Sequence, residues 1–216
     1  MKETDKNVIM ITAGGVGERF GSNVPKQYVE IGGRQVIAYV IDACKRSTQA
    51  DAVIVVAHPN YHDELRRRYG VDVVASGPEL NVTKRNGLDY IRNHSACEKL
   101  VVVDAVRPAV ESQVVDRFFK MLDNYDAAAN ARKITDSLGR YGQWIVNREE
   151  YYTLSTPEGF RFSLIDKHFK ADSPLTESIQ QLPDTSRVYL DFDAPYYDKL
   201  TYPEDLARIQ AILSKR

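Results

Sequence analysis

The chain has 216 residues, 43% of them hydrophobic, with 29 Lys and Arg against 30 Asp and Glu. This near-neutral balance lacks the basic excess of a nucleic-acid binder, and apolar runs such as residues 100–103 are too short to span a bilayer. The charged start Met1-Lys2-Glu3-Thr4-Asp5-Lys6 carries no apolar signal segment, and Cys44 and Cys97 stand apart without metal-ligand spacing. A cytoplasmic protein with no membrane or nucleic-acid partner is expected, built as one domain over residues 1–216.

Residues 8–12 read as a buried strand running straight into Ala13-Gly14-Gly15-Val16-Gly17-Glu18-Arg19, and Pro25-Lys26-Gln27 closes the loop. Glycines let main-chain N–H groups crowd a phosphate without a Cβ in the way. Arg19 and Lys26 then supply the countercharge. A dinucleotide fingerprint fails because Phe20 stands where its last glycine belongs, and a Walker loop fails because Gly17-Glu18-Arg19 replaces its Gly-Lys-Ser/Thr ending. The loop therefore points to nucleotidyl transfer ahead of hydride transfer or ATP hydrolysis; a tight strand-to-helix turn is the plain alternative.

Further on, residues 35–45 have helical apolar spacing, 52–57 form a continuous apolar strand, 61–69 a charged helix and 71–75 a short strand. Residues 81–93 read as a helix, 99–103 as a strand and 111–124 as a helix. This βαβ rhythm predicts a mainly parallel, doubly wound α/β sheet with ligands at the C-terminal strand ends. The rhythm breaks over residues 131–155, a polar and aromatic stretch read as extended β structure forming an arm. A helix over 161–169 and a strand over 187–192 follow. Thr201-Tyr202-Pro203-Glu204 then starts a last helix running to about residue 214.

Asp104 directly follows an apolar strand, on the side of the sheet where the glycine loop opens. A hard divalent cation bound to phosphates needs such a carboxylate; a turn cap is the alternative. The segment from Ser76-Gly77 to Thr83 leads from strand to helix and suits framing a pyrimidine base, though read alone it is also an ordinary capped helix. Arg148, followed by Thr156-Pro157, and Lys199 are late positions suited to holding a second phosphorylated substrate; singly they read as surface charges.

Six segments occur in order: Ala13-Gly14-Gly15-x-Gly17-x-Arg19, Pro25-Lys26-Gln27, Thr83-x-x-Asn86-Gly87-Leu88, Asp104-x-x-Arg107-Pro108, Arg148 with Thr156-Pro157, and Lys199-x-Thr201-x-x-Glu204-Asp205-Leu206. Together they resemble the polyol-phosphate cytidylyltransferases, which include methylerythritol-phosphate enzymes of isoprenoid synthesis and ribitol-phosphate enzymes of wall polymer synthesis. The resemblance implies a Rossmann-like sheet of nucleotidyltransferase type, with a β-arm at 131–155 through which members pair as homodimers. It implies CTP and a phosphorylated polyol as substrates, with Mg²⁺ as cofactor. It gives Arg19 and Lys26 catalytic roles at the α-phosphate, makes Asp104 the Mg²⁺ ligand, and sets Ala13, Gly14, Gly15, Gly17, Gly77 and Thr83 around the nucleotide. Asp136, Arg148, Thr156 and Lys199 fall where the family holds its acceptor. Asp191, Asp193 and Asp198 are candidates for a second metal carboxylate.

The chain departs from the family pattern at Leu80 (commonly arginine), Thr83 (serine), Val103 (histidine), Glu158 (glutamine) and Tyr196-Tyr197-Asp198 before Lys199. These changes gather at the base loop and the acceptor side. The expected acceptor is a glycerol or ribitol phosphate for wall or capsule precursors, with methylerythritol 4-phosphate as the alternative. A sugar-1-phosphate nucleotidyltransferase and an inactive nucleotide-binding protein are further alternatives.

Overall fold

The computed structural model describes residues 1–15, 20–21, 24–195 and 197–215. Gly17 and Arg19, two of the expected site residues, lie outside them.

In chain order the sheet-forming strands are β1 (Asn7–Ala13), β4 (Ala52–Ala57), β5 (Asp72–Ala75), β6 (Lys99–Asp104), β7 (Ala127–Lys133), β8 (Tyr152–Arg161) and β9 (Val188–Asp191). A two-stranded ribbon, β2 (Glu30–Ile31) and β3 (Arg34–Gln35), stands apart from them. The helices are α1 (Val36–Lys45), α2 (His62–Tyr69), α3 (Leu80–His94), α4 (Ser112–Met121), α5 (Phe162–His168) and α6 (Asp205–Leu213).

Among the described residues the main sheet has the order β5-β4-β1-β6-β8-β7-β9. β5, β4, β1 and β6 pair in parallel, as do β7 and β9, while β8 runs antiparallel to both β6 and β7. Side chains alternate across the sheet, so each strand feeds two cores. From β1, Ile9, Ile11 and Ala13 pack on the face covered by α1 and α4, and Val8 and Met10 on the face covered by α3 and α5. A third apolar cluster, built on Val36, Val106, Leu200 and Ile209, seats α6 near the mouth of the sheet.

Sequence periodicity located the first half to within a few residues. In the later half, α5, β9 and the end of α6 also fell where expected, and the difference lies in β7, β8 and the arm between them. β7 and the inner part of β8 carry no period-two signal, because both are buried through alanine, serine, threonine and glycine. Pro157 also sits inside β8, where it removes a ladder donor and demotes the stretch as a strand, and the β7–β8 register shifts at Ala129/Asn130. The arm expected over 131–155 is extended only at its ends. Residues 134–151 carry an isolated bridge between Arg140 and Gln143 and a short 3₁₀ turn, Arg148–Glu150. Tyr141, Trp144 and Ile145 point to solvent there, with Trp144 87% exposed. No described helix is long and apolar enough to cross a membrane.

Candidate active site

β1 and β6 are adjacent and parallel, with Thr12 opposite Asp104. The chain leaves both strands on the same side, and a cleft of about 200 Å³ opens there. Its lining brings together Ala13, Gly14, Gly15, Lys26, Gly77, Thr83, Asp104 and Lys199, all singled out in the sequence, with Gln27, Pro78, Glu79, Leu80 and Val106.

Gln27 sets the shape of the glycine loop. Its side chain is 2% exposed. Its amide nitrogen donates to the carbonyls of Ala13 and Gly15, both at 2.8 Å. Holding those oxygens inward keeps the carbonyl lone pairs off an incoming phosphate, and it also binds the loop to the turn carrying Lys26. The sequence placed Gln27 in a motif without giving it this work; a buried glutamine between a glycine loop and a lysine is the signal.

The opposite wall is the turn into α3. Thr83 is buried, and its hydroxyl accepts from the Gly77 amide (3.1 Å) and lies 3.3 Å from the Gly77 carbonyl. The hydroxyl therefore closes on itself the turn expected to frame a pyrimidine base. Two close approaches fix this geometry, one between the walls and one within the turn. A Cβ on Gly14 would lie 2.5 Å from Ser76 Cβ and 2.8 Å from Thr83 Oγ1, and one on Gly77 would lie 2.3 Å from Val82 Cγ1. These two glycines are required by space.

Asp104 sits at the floor. Its Oδ1 accepts from the Thr12 hydroxyl (3.2 Å), and its Oδ2 lies 3.1 Å from Lys199 Nζ and 3.5 Å from Arg107 Nε. Burial opposes its ionisation, yet the charges of Lys199, Arg107 and Lys84 outweigh burial and hold the carboxyl well below the usual range. Arg107 is buried and also donates to the Tyr197 carbonyl, and the Leu200 amide donates to the Val106 carbonyl (2.9 Å). The loop bearing Lys199 is thus fastened to the end of β6. Beyond it, the Asp205 carboxylate accepts from the amides of Thr201 and Tyr202 (2.8 and 2.9 Å). Asp205, rather than Glu204, closes the turn before α6.

A fully protein-built metal cage is absent: the described residues contain no group of three or more His, Cys, Asp or Glu that could hold a metal ion. One ionised carboxylate suits Mg²⁺ that arrives with phosphates, since that ion is commonly held by one or two carboxylates plus substrate oxygens. None of the candidates for a second carboxylate lines the cleft. Asp191 is fully buried against Arg117 (2.6 Å) and accepts from the amides of Asp193 and Ala194, and Asp198 pairs with Arg208 (3.2 Å).

The remaining acceptor candidates are placed otherwise than a shared cleft requires. Thr156 is 2% exposed and lies behind Asp104, whose amide donates to its hydroxyl (3.2 Å). Asp136 and Arg148 are exposed on the arm, outside the cleft lining. Arg148 instead donates to the Thr135 carbonyl and borders a separate hollow with Lys133, Tyr151, Tyr152 and Phe192. Sequence reasoning passed over Glu177. Burial first, and the Glu158 carboxylate second, push its pKa up to about 7, against the pull of Lys84.

The model of the IspD family, 2-C-methyl-D-erythritol 4-phosphate cytidylyltransferase, matches residues 7–215. A 2-C-methyl-D-erythritol 4-phosphate cytidylyltransferase of Porphyromonas gingivalis is 32% identical over 166 residues, 72% of each chain. One from Clostridium botulinum is 27% identical over 229 residues, covering 97% of this chain and 98% of its own. The crystal structure of 4-diphosphocytidyl-2C-methyl-D-erythritol synthase from Anaerococcus prevotii has the same fold, with a TM-score of 0.82 at 22% identity over 97% of this chain and 96% of that one. The chain belongs to the 2-C-methyl-D-erythritol 4-phosphate cytidylyltransferase family, and it is a nucleotidyltransferase of the cytidylyl-transferring class.

Proposed function

We propose that the protein transfers CMP from CTP to 2-C-methyl-D-erythritol 4-phosphate, releasing pyrophosphate. The observation that carries this is the ionised Asp104 beside Lys199, at the floor of a glycine-lined cleft with Lys26 on its wall. The acceptor expected from the sequence departures, a wall-type glycerol or ribitol phosphate, finds no support in the family match, which favours the methylerythritol alternative. The same match speaks against a sugar-1-phosphate acceptor.

An oxygen of the acceptor's phosphate attacks the α-phosphorus of CTP, the bond to the β-phosphate breaks, and pyrophosphate carries away the electron pair. A phosphate monoester is already nucleophilic at neutral pH, so no strong general base is required. Catalysis is then positioning plus charge stabilisation. Backbone amides of residues 13–15 surround the phosphates, with Gln27 keeping the carbonyls aside. Lys26 and Arg19 neutralise the charge that grows on the α-phosphate and the bridging oxygen. Asp104 would hold Mg²⁺, which when bound would supply charge neutralisation on the triphosphate. Lys199 holds the acceptor's phosphate, and Gly77 and its neighbours frame the base.

Arg148 and Asp136 serve the acceptor only when brought to a cleft that they do not line in their own chain. A homodimer in which one protomer's arm reaches its partner's cleft meets this requirement, and the exposed Tyr141, Trp144 and Ile145 provide apolar surface for the pairing. The direct test is CTP and Mg²⁺ with methylerythritol 4-phosphate, ribitol 5-phosphate and glycerol 3-phosphate in parallel, scored for pyrophosphate and for the CDP-polyol by mass. Turnover only with ribitol or glycerol phosphate would overturn the acceptor assignment.

A further inference from the structure

Behind the cleft lie two charged side chains that the reaction above does not use. Lys84 on α3 is 2% exposed and Glu158 on β8 is fully buried, with Lys84 Nζ 3.7 Å from Glu158 Oε2. A buried pair of this kind costs desolvation and is a poor device for stability alone. Its hydrogen bonds show where it acts. Lys84 Nζ donates to the Thr176 carbonyl (2.8 Å) and the Ser178 hydroxyl (2.9 Å). The two oxygens of Glu158 accept from the amides of Ser178 (3.2 Å) and Ile179 (3.0 Å). One turn earlier on α3, Asn81 donates to the carbonyls of Ser173 and Leu175, both at 2.8 Å. Three buried side chains thus hold the backbone of a strap, residues 173–179, that has little regular structure of its own.

The anchors of the strap abut the reacting groups, while residues 173–179 themselves stand outside the cleft lining. Thr83, next to Lys84, lines the cleft, and Thr156, two residues before Glu158, bonds the Asp104 amide. Glu177 on the strap lies within electrostatic range of both Asp104 and Lys199.

We propose that Lys84 and Glu158 are positioning residues: their ion pair fixes the strap 173–179 behind the cleft, beside the Asp104–Lys199 pair on the acceptor side. This rests on reading Lys199 and Asp104 as the place where acceptor meets nucleotide. α3 keeps its own helical bonds and its packing through Leu88 and Ile91, so loss of the pair releases the strap and leaves the nucleotide wall standing.

Lys84→Met strands a buried carboxylate and risks misfolding, so it is paired with the double variant Lys84→Met/Glu158→Gln, which removes both charges. Steady-state kinetics with CTP and methylerythritol 4-phosphate, and amide hydrogen exchange at Ser178 and Ile179, are measured on the folded variants. The expected result is an acceptor KM raised about tenfold or more, a CTP KM within about threefold of wild type, and faster exchange at both amides. Equal rises in both KM values, or unchanged exchange in the double variant, would overturn the proposal. If the wild-type protein does not turn over methylerythritol 4-phosphate, the acceptor assignment fails by itself. The exchange measurement needs no acceptor and then decides alone: acceleration supports the strap, and unchanged protection refutes it.

Discussion

Replacing Gln27 by methionine keeps the volume and removes both donors that organise the glycine loop. The Ala13 carbonyl lies in a residue 3% exposed, so losing its 2.8 Å donor leaves a buried acceptor unpaired, at a cost of about 1–3 kcal/mol. Gly15 is exposed and its carbonyl regains water, so that bond is worth only about 0.5–1.5 kcal/mol. The sum is roughly 1.5–4.5 kcal/mol against the closed loop. An opened loop wets both carbonyls and escapes most of this penalty, so the cost falls on the arrangement that receives the nucleotide. Allowing that part of it is spent on the fold, CTP affinity should fall about 10–100-fold, equivalent to about 1.4–2.8 kcal/mol. Calorimetric titration of Mg–CTP into wild type and Gln27→Met, with thermal melts to verify folding, measures this directly. A folded Gln27→Met protein binding CTP within about twofold of wild type would refute the assignment of the loop's shape to Gln27.

Lys26→Ala should lower kcat by about 10²–10³ while the melting profile stays close to wild type, because it removes a charge-stabilising donor from a half-buried position at the cleft; stopped-flow detection of pyrophosphate reads the effect. Glu177 has its folded pKa raised from 4.5 to about 7, so its contribution to stability is fully present below pH 4.5 and is lost as the pH rises to 7. Glu177→Gln should therefore stabilise the protein at pH 8, by at most roughly 3 kcal/mol, with the gain shrinking towards pH 5 in urea titrations; a pH-independent difference would contradict this sign. Mixing inactive Lys26→Ala chains with inactive Arg148→Ala chains should restore about a quarter of wild-type activity if arms serve partner clefts, since half the dimers are mixed and each has one intact site. No recovery after verified subunit exchange would place Arg148 outside the partner's site.

The parallel half of the fold and the glycine-rich composition of its first loop were determined by sequence alone, for local reasons. Strands buried on both faces must be continuous apolar runs, as in residues 52–57 and 100–103, and a helix over 36–45 must show apolar spacing. A glycine loop with cations after such a strand carries its chemistry in residue type, which is why Lys26 could be named before any geometry was known; Asp104 was named from its place after an apolar strand, and Lys199 drew its role from the family resemblance. Tertiary structure decided what depends on distant partners. Only there do Gln27, Arg107 and Lys84 acquire their roles, because a buried polar side chain is defined by the groups that satisfy it, and those come from residues remote in the chain. The same holds for β8, whose antiparallel course between β6 and β7 rests on ladder bonds to both neighbours and on no pattern of its own. Arg148 is the clearest case: its residue type suits a phosphate, but only the fold reveals that its arm carries it away from the cleft of its own chain.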